Sequence, residues 1–187
     1  MLNLRCFCVG TLLVGYTVCA TQVHAQQGAP QGDRRREEGV HATLALDFDY
    51  GTAFSGDIIE DGGGGALRIG AESDMLLVTL IPELVLGYHS FGGVGRYDAQ
   101  VYNGMLGGRL RFLKIIEPGI YAHAGLGHLS GFASHTGFSM DFGVTLDFTL
   151  IPLLDFGVHG AWNRVFEGSD DDGLSYGTAG VHIALVL

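Results

Sequence analysis

Hydrophobic and polar residues alternate strictly over a long stretch of the chain, from Gly137 to Leu150. Every even position there is a large apolar residue, and every odd position is a glycine, serine, threonine or aspartate. Because successive side chains of a strand point to opposite faces, this period of two indicates a β-strand with one apolar face and one polar face. A helix would distribute the same residues around its axis.

The same alternation recurs in further segments between His41 and Leu187. Each segment has one row of large apolar residues and one row of small, charged or histidine residues. Their apolar rows contain Leu46, Ile69, Leu86, Leu106, Ala124, Val158 and Ile183. Segments of about ten residues or more match the length of a tilted membrane-crossing strand. We therefore predict an all-β fold, an eight-stranded antiparallel up-and-down transmembrane β-barrel.

The connections between the predicted strands alternate in length. Short turns are predicted near Asp74, Lys114 and Ile151–Pro152. Longer segments rich in glycine, serine and aspartate are predicted as loops at Phe54–Gly63, Phe91–Gln100, Leu129–His135 and Glu167–Gly173. Short turns on one side and long loops on the other are typical of outer-membrane barrels, with the short turns in the periplasm. An even number of strands places both ends of the barrel on that side.

The volume of the barrel interior decides which face is predicted to point outward. Eight strands enclose a lumen just wide enough to be filled by side chains, so the large apolar rows would overfill it. Glycine, serine, aspartate, histidine and arginine fit inside, and the apolar rows fit lipid. The closed hydrogen-bonded sheet also satisfies the backbone within a bilayer. The alternative is an exported, water-soluble, lipocalin-like binder with its apolar rows turned inward.

Composition and the N-terminal segment favour an exported single-domain protein. The chain has 187 residues, 31 glycines and only 16% charged residues, which does not suit disorder. Residues 1–25 have the features of a signal peptide, with Arg5 before an apolar core and cleavage expected before Gln26. Residues 26–40 are predicted as a flexible periplasmic lead-in, and residues 41–187 as the barrel domain.

Charge and cysteine content narrow the possible functions further. The net charge of −10 argues against nucleic-acid binding, which requires lysine and arginine against phosphates. All three cysteines, Cys6, Cys8 and Cys19, lie inside the predicted signal, so no disulfide is expected in the mature chain.

Charges of both signs lie on the inward rows and predict a paired network in the lumen. Arg68 should lie nearly opposite Glu83, and Arg111 nearly opposite Glu117, both near the periplasmic end. The predicted network consists of Arg68, Glu83, Arg109, Arg111, Glu117, His123 and Asp141. Buried charges persist when they are paired and hydrogen-bonded, so neutralisation within the structure is favoured over gating.

Histidines on the inward rows and acids in the loops are the candidate metal ligands of the sequence. His89, His123, His159 and His182 fall on inward rows, but no spacing matches a tetrahedral ligand set. We therefore predict no metal site and no cofactor. The loop acids Asp57, Glu60, Asp61 and Asp170–Asp172 are interpreted as solvated residues, and the second cluster is a hypothetical contact for divalent ions that bridge lipopolysaccharide.

Three stretches resemble the OmpA/OmpX-type outer-membrane barrel families. They are Leu67–Gly70 followed by Pro82–Glu83, then Gly107–Arg111, and the closing strand Gly180–Leu187. The resemblance implies an outer-membrane location, contact with outer-membrane lipid and lipopolysaccharide, and insertion by the barrel-assembly machinery. Since the resemblance is architectural, it implies location more securely than activity. Our leading hypothesis is a structural or surface-interaction role rather than an enzyme, and we expect a monomer. A pore is less favoured because eight strands leave no aqueous channel.

One short motif suggests an enzymatic alternative. His128 and Ser130 form a His-x-Ser pair that resembles the catalytic pair of the lipid A deacylase barrels, which implies an outer-membrane lipid hydrolase. That family has a glutamate about a dozen residues later, where this chain has Phe142. The neighbouring Asp141 is predicted on the opposite, inward face, which works against a triad.

Overall fold

The computed structural model describes residues 39–54, 59–75, 77–93, 98–113, 115–131, 134–151, 153–167 and 173–187. The strands are β1 (Val40–Ala53), β2 (Ile59–Met75), β3 (Val78–Gly93), β4 (Ala99–Phe112), β5 (Ile116–Ser130), β6 (His135–Ile151), β7 (Leu154–Phe166) and β8 (Gly173–Val186). Each strand pairs antiparallel with the next, and β8 pairs with β1, so the sheet is a closed barrel. The predicted eight-stranded fold is confirmed.

The seam between β1 and β8 leaves neither strand as a free edge. Residues Thr43 to Ala53 pair with Val186 back to Tyr176. Beyond this ladder, the amide of Ala42 donates to the carbonyl of Leu187 at 3.0 Å, and the amide of Leu187 donates back at 2.8 Å. Closure of this kind removes the unpaired backbone groups that an open sheet would present.

The apolar rows point outward, as the strand pattern predicts. Leu106 is 67% exposed and Leu126 is 64% exposed, whereas Arg109 and Arg111 are 4% and 3% exposed. Large apolar side chains lie on the outer surface of every strand, whereas the buried charged side chains lie inside the barrel. The structure thus excludes the lipocalin-like alternative, in which the apolar rows would fill the interior.

The strands extend further than the sequence predicts, so the loops are shorter. The first loop was predicted at Phe54–Gly63, but β2 already begins at Ile59. Gly62 and Gly64 belong to the ladder because they allow close packing: a Cβ on Gly62 would lie 2.0 Å from the Ser90 carbonyl oxygen, and one on Gly64 2.2 Å from the Tyr88 oxygen. A glycine run that was interpreted as a loop is therefore strand.

The predicted bounds of the second and third loops are also too wide. The second loop joins Gly93 to Ala99 and the third joins Ser130 to His135. The fourth runs from Phe166 to Gly173, close to its predicted bounds. Residues 1–38, which include the predicted signal and nearly all of the lead-in, lie outside the described residues, as do Lys114 and Pro152. Within the residues described, no helix is long and apolar enough to cross a membrane.

The inward rows become apolar at the long-loop end of the barrel, which the sequence analysis did not predict. A buried apolar cluster fills this end and consists of Phe91, Ala99, Val101, Val165, Leu174 and Tyr176. Phe91, Val101 and Tyr176 have no exposed surface. The lumen is therefore divided into a charged region toward the short turns and an apolar region toward the long loops.

Candidate functional site

Arg111 is the centre of the charged region next to the short turns. Its guanidinium lies 2.5 Å from a Glu72 carboxylate oxygen and 2.9 Å from Asp155. Glu117 lies at 3.3 Å and Asp147 at 3.8 Å. The side chain is 3% exposed, so four acids surround a buried cation that supplies several charge-assisted contacts.

Thr149 links two of these acids to each other. Its hydroxyl lies 2.8 Å from Glu117 Oε1 and 2.9 Å from Asp155 Oδ1. A hydroxyl donates one hydrogen and accepts through its lone pairs, and a carboxylate only accepts. Thr149 therefore donates to one of the two carboxylates at a time and helps to hold both beside Arg111.

A second layer of charges lies about halfway along the strands. Arg68 donates to Asp47 Oδ1 through Nε at 3.1 Å and through Nη2 at 2.7 Å. Its Nη1 lies 3.6 Å from Glu83, and Arg109 Nε lies 3.4 Å from the same carboxylate. Two arginines from different strands thus converge on Glu83.

His123 joins this layer to β6. Its Nδ1 lies 2.7 Å from Asp141 Oδ1, and its Nε2 lies 2.9 Å from Glu83 Oε1. The backbone amide of His123 also donates to Asp141 at 3.1 Å. Beside it, the guanidinium of Arg109 stacks 5.1 Å above the ring of Tyr121, a cation–π arrangement.

The structure brings together all seven residues of the predicted network, but the predicted placement is wrong for one pair. Arg111 and Glu117 lie beside a short turn, as expected. Arg68 and Glu83 lie deeper, at mid-strand, and the shortest contact of Arg68 is with Asp47, which the prediction omitted. Asp47 lies on β1, which is joined to β2 through a long loop, whereas the predicted partner of Arg68 lies across a short turn.

Four acids of the charged region were not in the predicted network. They are Asp47, Glu72, Asp147 and Asp155, and each of their side chains is at most 9% exposed. All four lie on rows that the alternation places inward, so the parity of the strands was a usable signal. The sequence alone does not show which strands lie close to each other across the barrel.

The remaining inward histidines form a third group. His159 Nε2 lies 2.5 Å from Asp49 Oδ1, and His89 Nε2 lies 3.3 Å from the other oxygen of Asp49. His182 Nε2 lies 2.5 Å from Asp147 Oδ1. The Nδ1 atoms of His159 and His182 face each other at 3.3 Å. Three histidines from β3, β7 and β8 therefore connect the carboxylates of two further strands, β1 and β6.

Each inward histidine has a glycine as its direct partner on a neighbouring strand. The pairs are His89 with Gly64, His123 with Gly107, His159 with Gly180 and His182 with Gly157. A Cβ on any of these glycines would lie within 2.6 Å of another atom. The glycine content of the chain thus provides the space that the buried rings need.

Acids outnumber fixed cations in the described interior. Eight buried carboxylates, from Asp47, Asp49, Glu72, Glu83, Glu117, Asp141, Asp147 and Asp155, surround three arginines, Arg68, Arg109 and Arg111. With neutral histidines, these groups have five negative charges in excess. Because buried charge needs compensation, protonated histidines or a bound cation would offset part of this negative excess.

His128 and Ser130 lie at the end of β5 nearest the long loops. His128 Nδ1 lies 2.8 Å from the Thr136 hydroxyl, and its ring is 6.3 Å from that of Tyr102. Asp141, the acid next to the position where the glutamate is missing, is buried and bonded to His123, on the inward face as predicted. In the described residues the His-x-Ser pair is not joined to a carboxylate that would orient the histidine.

Of the predicted loop acids, only some are described. Asp61 accepts a hydrogen bond from the Tyr50 hydroxyl, and Glu60 lies in β2. Asp57 and Asp170–Asp172 lie outside the described residues, so the suggested contact with divalent ions stays a hypothesis.

Comparison with known proteins identifies the same architecture elsewhere. No family model matches the chain, and no curated protein sequence matches it. Neisserial surface protein A matches with a TM-score of 0.51 and 11% identity, covering 78% of this chain and 96% of that one. The attachment invasion locus protein Ail of Yersinia pestis matches with a TM-score of 0.51 and 15% identity, covering 79% and 97%.

The outer membrane enzyme PagL matches with a TM-score of 0.47 and 15% identity over 76% of this chain, a similarity that bears on neither activity nor substrate. At these identities the matches establish the fold alone. The resemblance to OmpA/OmpX-type proteins is therefore confirmed as a shared fold, a closed eight-stranded antiparallel barrel.

Proposed function

We propose that the protein is a small β-barrel of the bacterial outer membrane with a closed, charge-paired lumen and a structural or surface-interaction role. One observation carries the proposal: large apolar side chains cover the outer surface of a barrel whose interior is charged. Leu106, Leu126 and Val144 are all more than half exposed, on neighbouring strands. Contiguous apolar surface of this kind marks a membrane or protein contact, and a barrel without edges suits a bilayer.

The interior supports a closed barrel rather than a pore. The apolar cluster around Phe91 and Tyr176 fills the long-loop end, and the ion pairs around Arg111 fill the short-turn end. Water and ions would have to displace both to cross the lumen. We therefore infer that the protein acts through its outer surface and loops, and that its lumen serves stability.

The partners follow from the proposed location. Outer-membrane lipid and lipopolysaccharide would contact the apolar surface, and the barrel-assembly machinery would insert the chain after export through a cleaved signal peptide. A monomer suffices because the closed sheet leaves no strand edge for pairing with a second copy.

Fractionation of expressing cells combined with a heat-modifiability gel tests the proposal. The protein should be recovered in the outer membrane, and unheated samples should migrate differently from boiled ones because the barrel survives detergent. Recovery of the processed chain as a detergent-free periplasmic protein would contradict the proposed location.

Planar-bilayer recordings test the closed lumen separately. The wild-type protein should insert without producing steady conductance. A replacement of Phe91 by alanine removes a fully buried ring from the apolar cluster and serves as the comparison. Steady channels from the folded wild type would contradict the closed interior without affecting the proposed location.

A further inference from the structure

Two buried histidines of the lumen have their ring nitrogens aimed at each other. His159 of β7 and His182 of β8 have their Nδ1 atoms 3.3 Å apart, with ring centroids at 5.5 Å. Both side chains are at most 6% exposed. A neutral imidazole has one N–H and one lone pair, so the protonated nitrogen of each ring decides what this contact is.

The outer nitrogen of each ring is fixed by an acid. His159 Nε2 lies 2.5 Å from Asp49, and His182 Nε2 lies 2.5 Å from Asp147. Because an ionised carboxylate only accepts hydrogen bonds, each Nε2 carries the proton. Two neutral rings would then point their Nδ1 lone pairs at each other across 3.3 Å, which is repulsive. A proton or a metal cation between the rings removes the repulsion.

The geometry points to the metal: we propose that His159, His182 and Asp47 form a binding site for a divalent transition metal of the zinc class. Two nitrogens bound to zinc at about 2.0–2.1 Å in a tetrahedron are separated by about 3.3–3.4 Å. The observed spacing of 3.3 Å matches this separation.

Asp47 supplies the third ligand from β1. Its Cα is paired directly with that of His182, and one ligand atom from each of the three residues lies within 4.8 Å of the others. A formed site needs a shorter separation, so the Asp47 carboxylate moves toward the two rings when the metal binds. Water or a neighbouring carboxylate completes the tetrahedron.

The surroundings have the features that support metal-binding histidines. Each ring donates its Nε2 hydrogen to a buried carboxylate, an arrangement that fixes ring orientation and raises the basicity of the ligating nitrogen. The described interior also has five negative charges in excess when its histidines are neutral. A divalent cation lowers this excess at a place where two acids already bond the rings.

The site draws on three strands, so no spacing along the chain predicted it. Residues 47, 159 and 182 become neighbours only when β8 closes against β1. Because the lumen is filled at both ends, we expect the metal to bind during folding and to exchange slowly afterwards. The proposal rests on the barrel interior and is independent of the proposed location.

Metal content after refolding tests the site directly. The protein, purified in detergent, is unfolded in urea with a chelator, refolded with or without Zn²⁺, and separated from free metal. We expect about one zinc per chain in the wild type, from the one ligand set found among the described residues, and a higher unfolding temperature than after refolding with Mg²⁺. Co²⁺ in place of Zn²⁺ should give the visible absorption of a tetrahedral site.

Matched histidine variants locate the metal. The double variant His159→Gln/His182→Gln should lose the zinc, whereas His123→Gln, also in the lumen, and His128→Gln, outside it, should retain the zinc. A heat-modifiability gel shows whether each variant has folded. If the double variant fails to fold, the extended X-ray absorption fine structure of the wild-type zinc complex identifies the ligands instead. Two imidazole nitrogens at about 2.0–2.1 Å from the zinc would support the site.

Two results would overturn the proposal. If the folded wild type retains no zinc or cobalt after refolding, a proton and not a metal lies between the two rings. Zinc that remains in the folded double variant, or that has no imidazole ligand by X-ray absorption, would place the metal elsewhere.

Discussion

At the scale of single residues, a few charged side chains stabilise the interior, and each of them contacts several partners of opposite charge. Arg111 contacts Glu72, Asp155 and Glu117 and approaches Asp147. Removal of such a group leaves several buried acids without their cation, and this cost exceeds the value of any single pair. The consequences differ from those of an exposed ion pair, which contributes little.

Replacement of Arg111 by alanine should destabilise the barrel by about 3–5 kcal/mol, because buried carboxylates lose their partner. Urea unfolding in detergent measures the change, and Arg111→Lys should lie in between because it keeps the charge but not the planar contacts. Arg164→Ala is the control, since that guanidinium lies 4.7 Å from the Phe166 ring at the far end of the barrel. Equal stability of wild type and Arg111→Ala would contradict the network.

Glycines facing the histidines provide a second prediction at this scale. A Cβ on Gly157 would lie 2.4 Å from both Asp147 Oδ1 and His182 Cε1, so Gly157→Ala should displace this buried pair and cost about 1–3 kcal/mol. Gly160→Ala is the matched control on the same strand, because its nearest atom is the Thr178 carbonyl oxygen at 3.6 Å. The thermal unfolding midpoint of Gly157→Ala should be lower than that of Gly160→Ala. Identical midpoints would contradict a packing role for Gly157.

At the scale of strands, the alternation determined which face points outward but not where each strand ends. Parity is set by the period of two, and it assigned Leu106 outward and Arg109 inward. The ends depend on tertiary contact: Gly62–Gly65 have the composition of a turn, yet they pair with β1 and β3. The apolar inward cluster was missed for a related reason, since Phe91 and Val101 were assigned to a loop or left unassigned.

A charge on the outward row should cost more at the middle of a strand than at its end. Leu106→Arg places a cation near the middle of β4 and should cost about 2–4 kcal/mol, whereas Ile116→Arg, at the start of β5, should cost about 0–1 kcal/mol. Refolding into lipid vesicles followed by urea titration measures both. A water-soluble barrel would tolerate both substitutions equally, and that result would contradict embedding in a membrane.

At the scale of the whole molecule, closure of the sheet creates contacts that no hairpin contains. Arg111 on β4 reaches Glu72 on β2 and Asp155 on β7, and His159 on β7 reaches Asp49 on β1. The sequence therefore predicted that the rows with charged residues face inward, and it predicted pairs near a turn such as Arg111 with Glu117. It could not predict partners across the lumen, because these depend on the curvature and stagger of the closed sheet.

The central claim is that the apolar rows face lipid while the charges face inward. A nitroxide label on a cysteine replacing Leu106, in a refolded chain without the first 25 residues and thus without native cysteines, tests it most directly in lipid vesicles. A label replacing Thr52, exposed at the long-loop end of β1, is the control. If the apolar rows face lipid, the Leu106 label collides mainly with oxygen dissolved in the acyl chains and the Thr52 label with a water-soluble nickel complex. Ready collision of the nickel complex with the Leu106 label would contradict it.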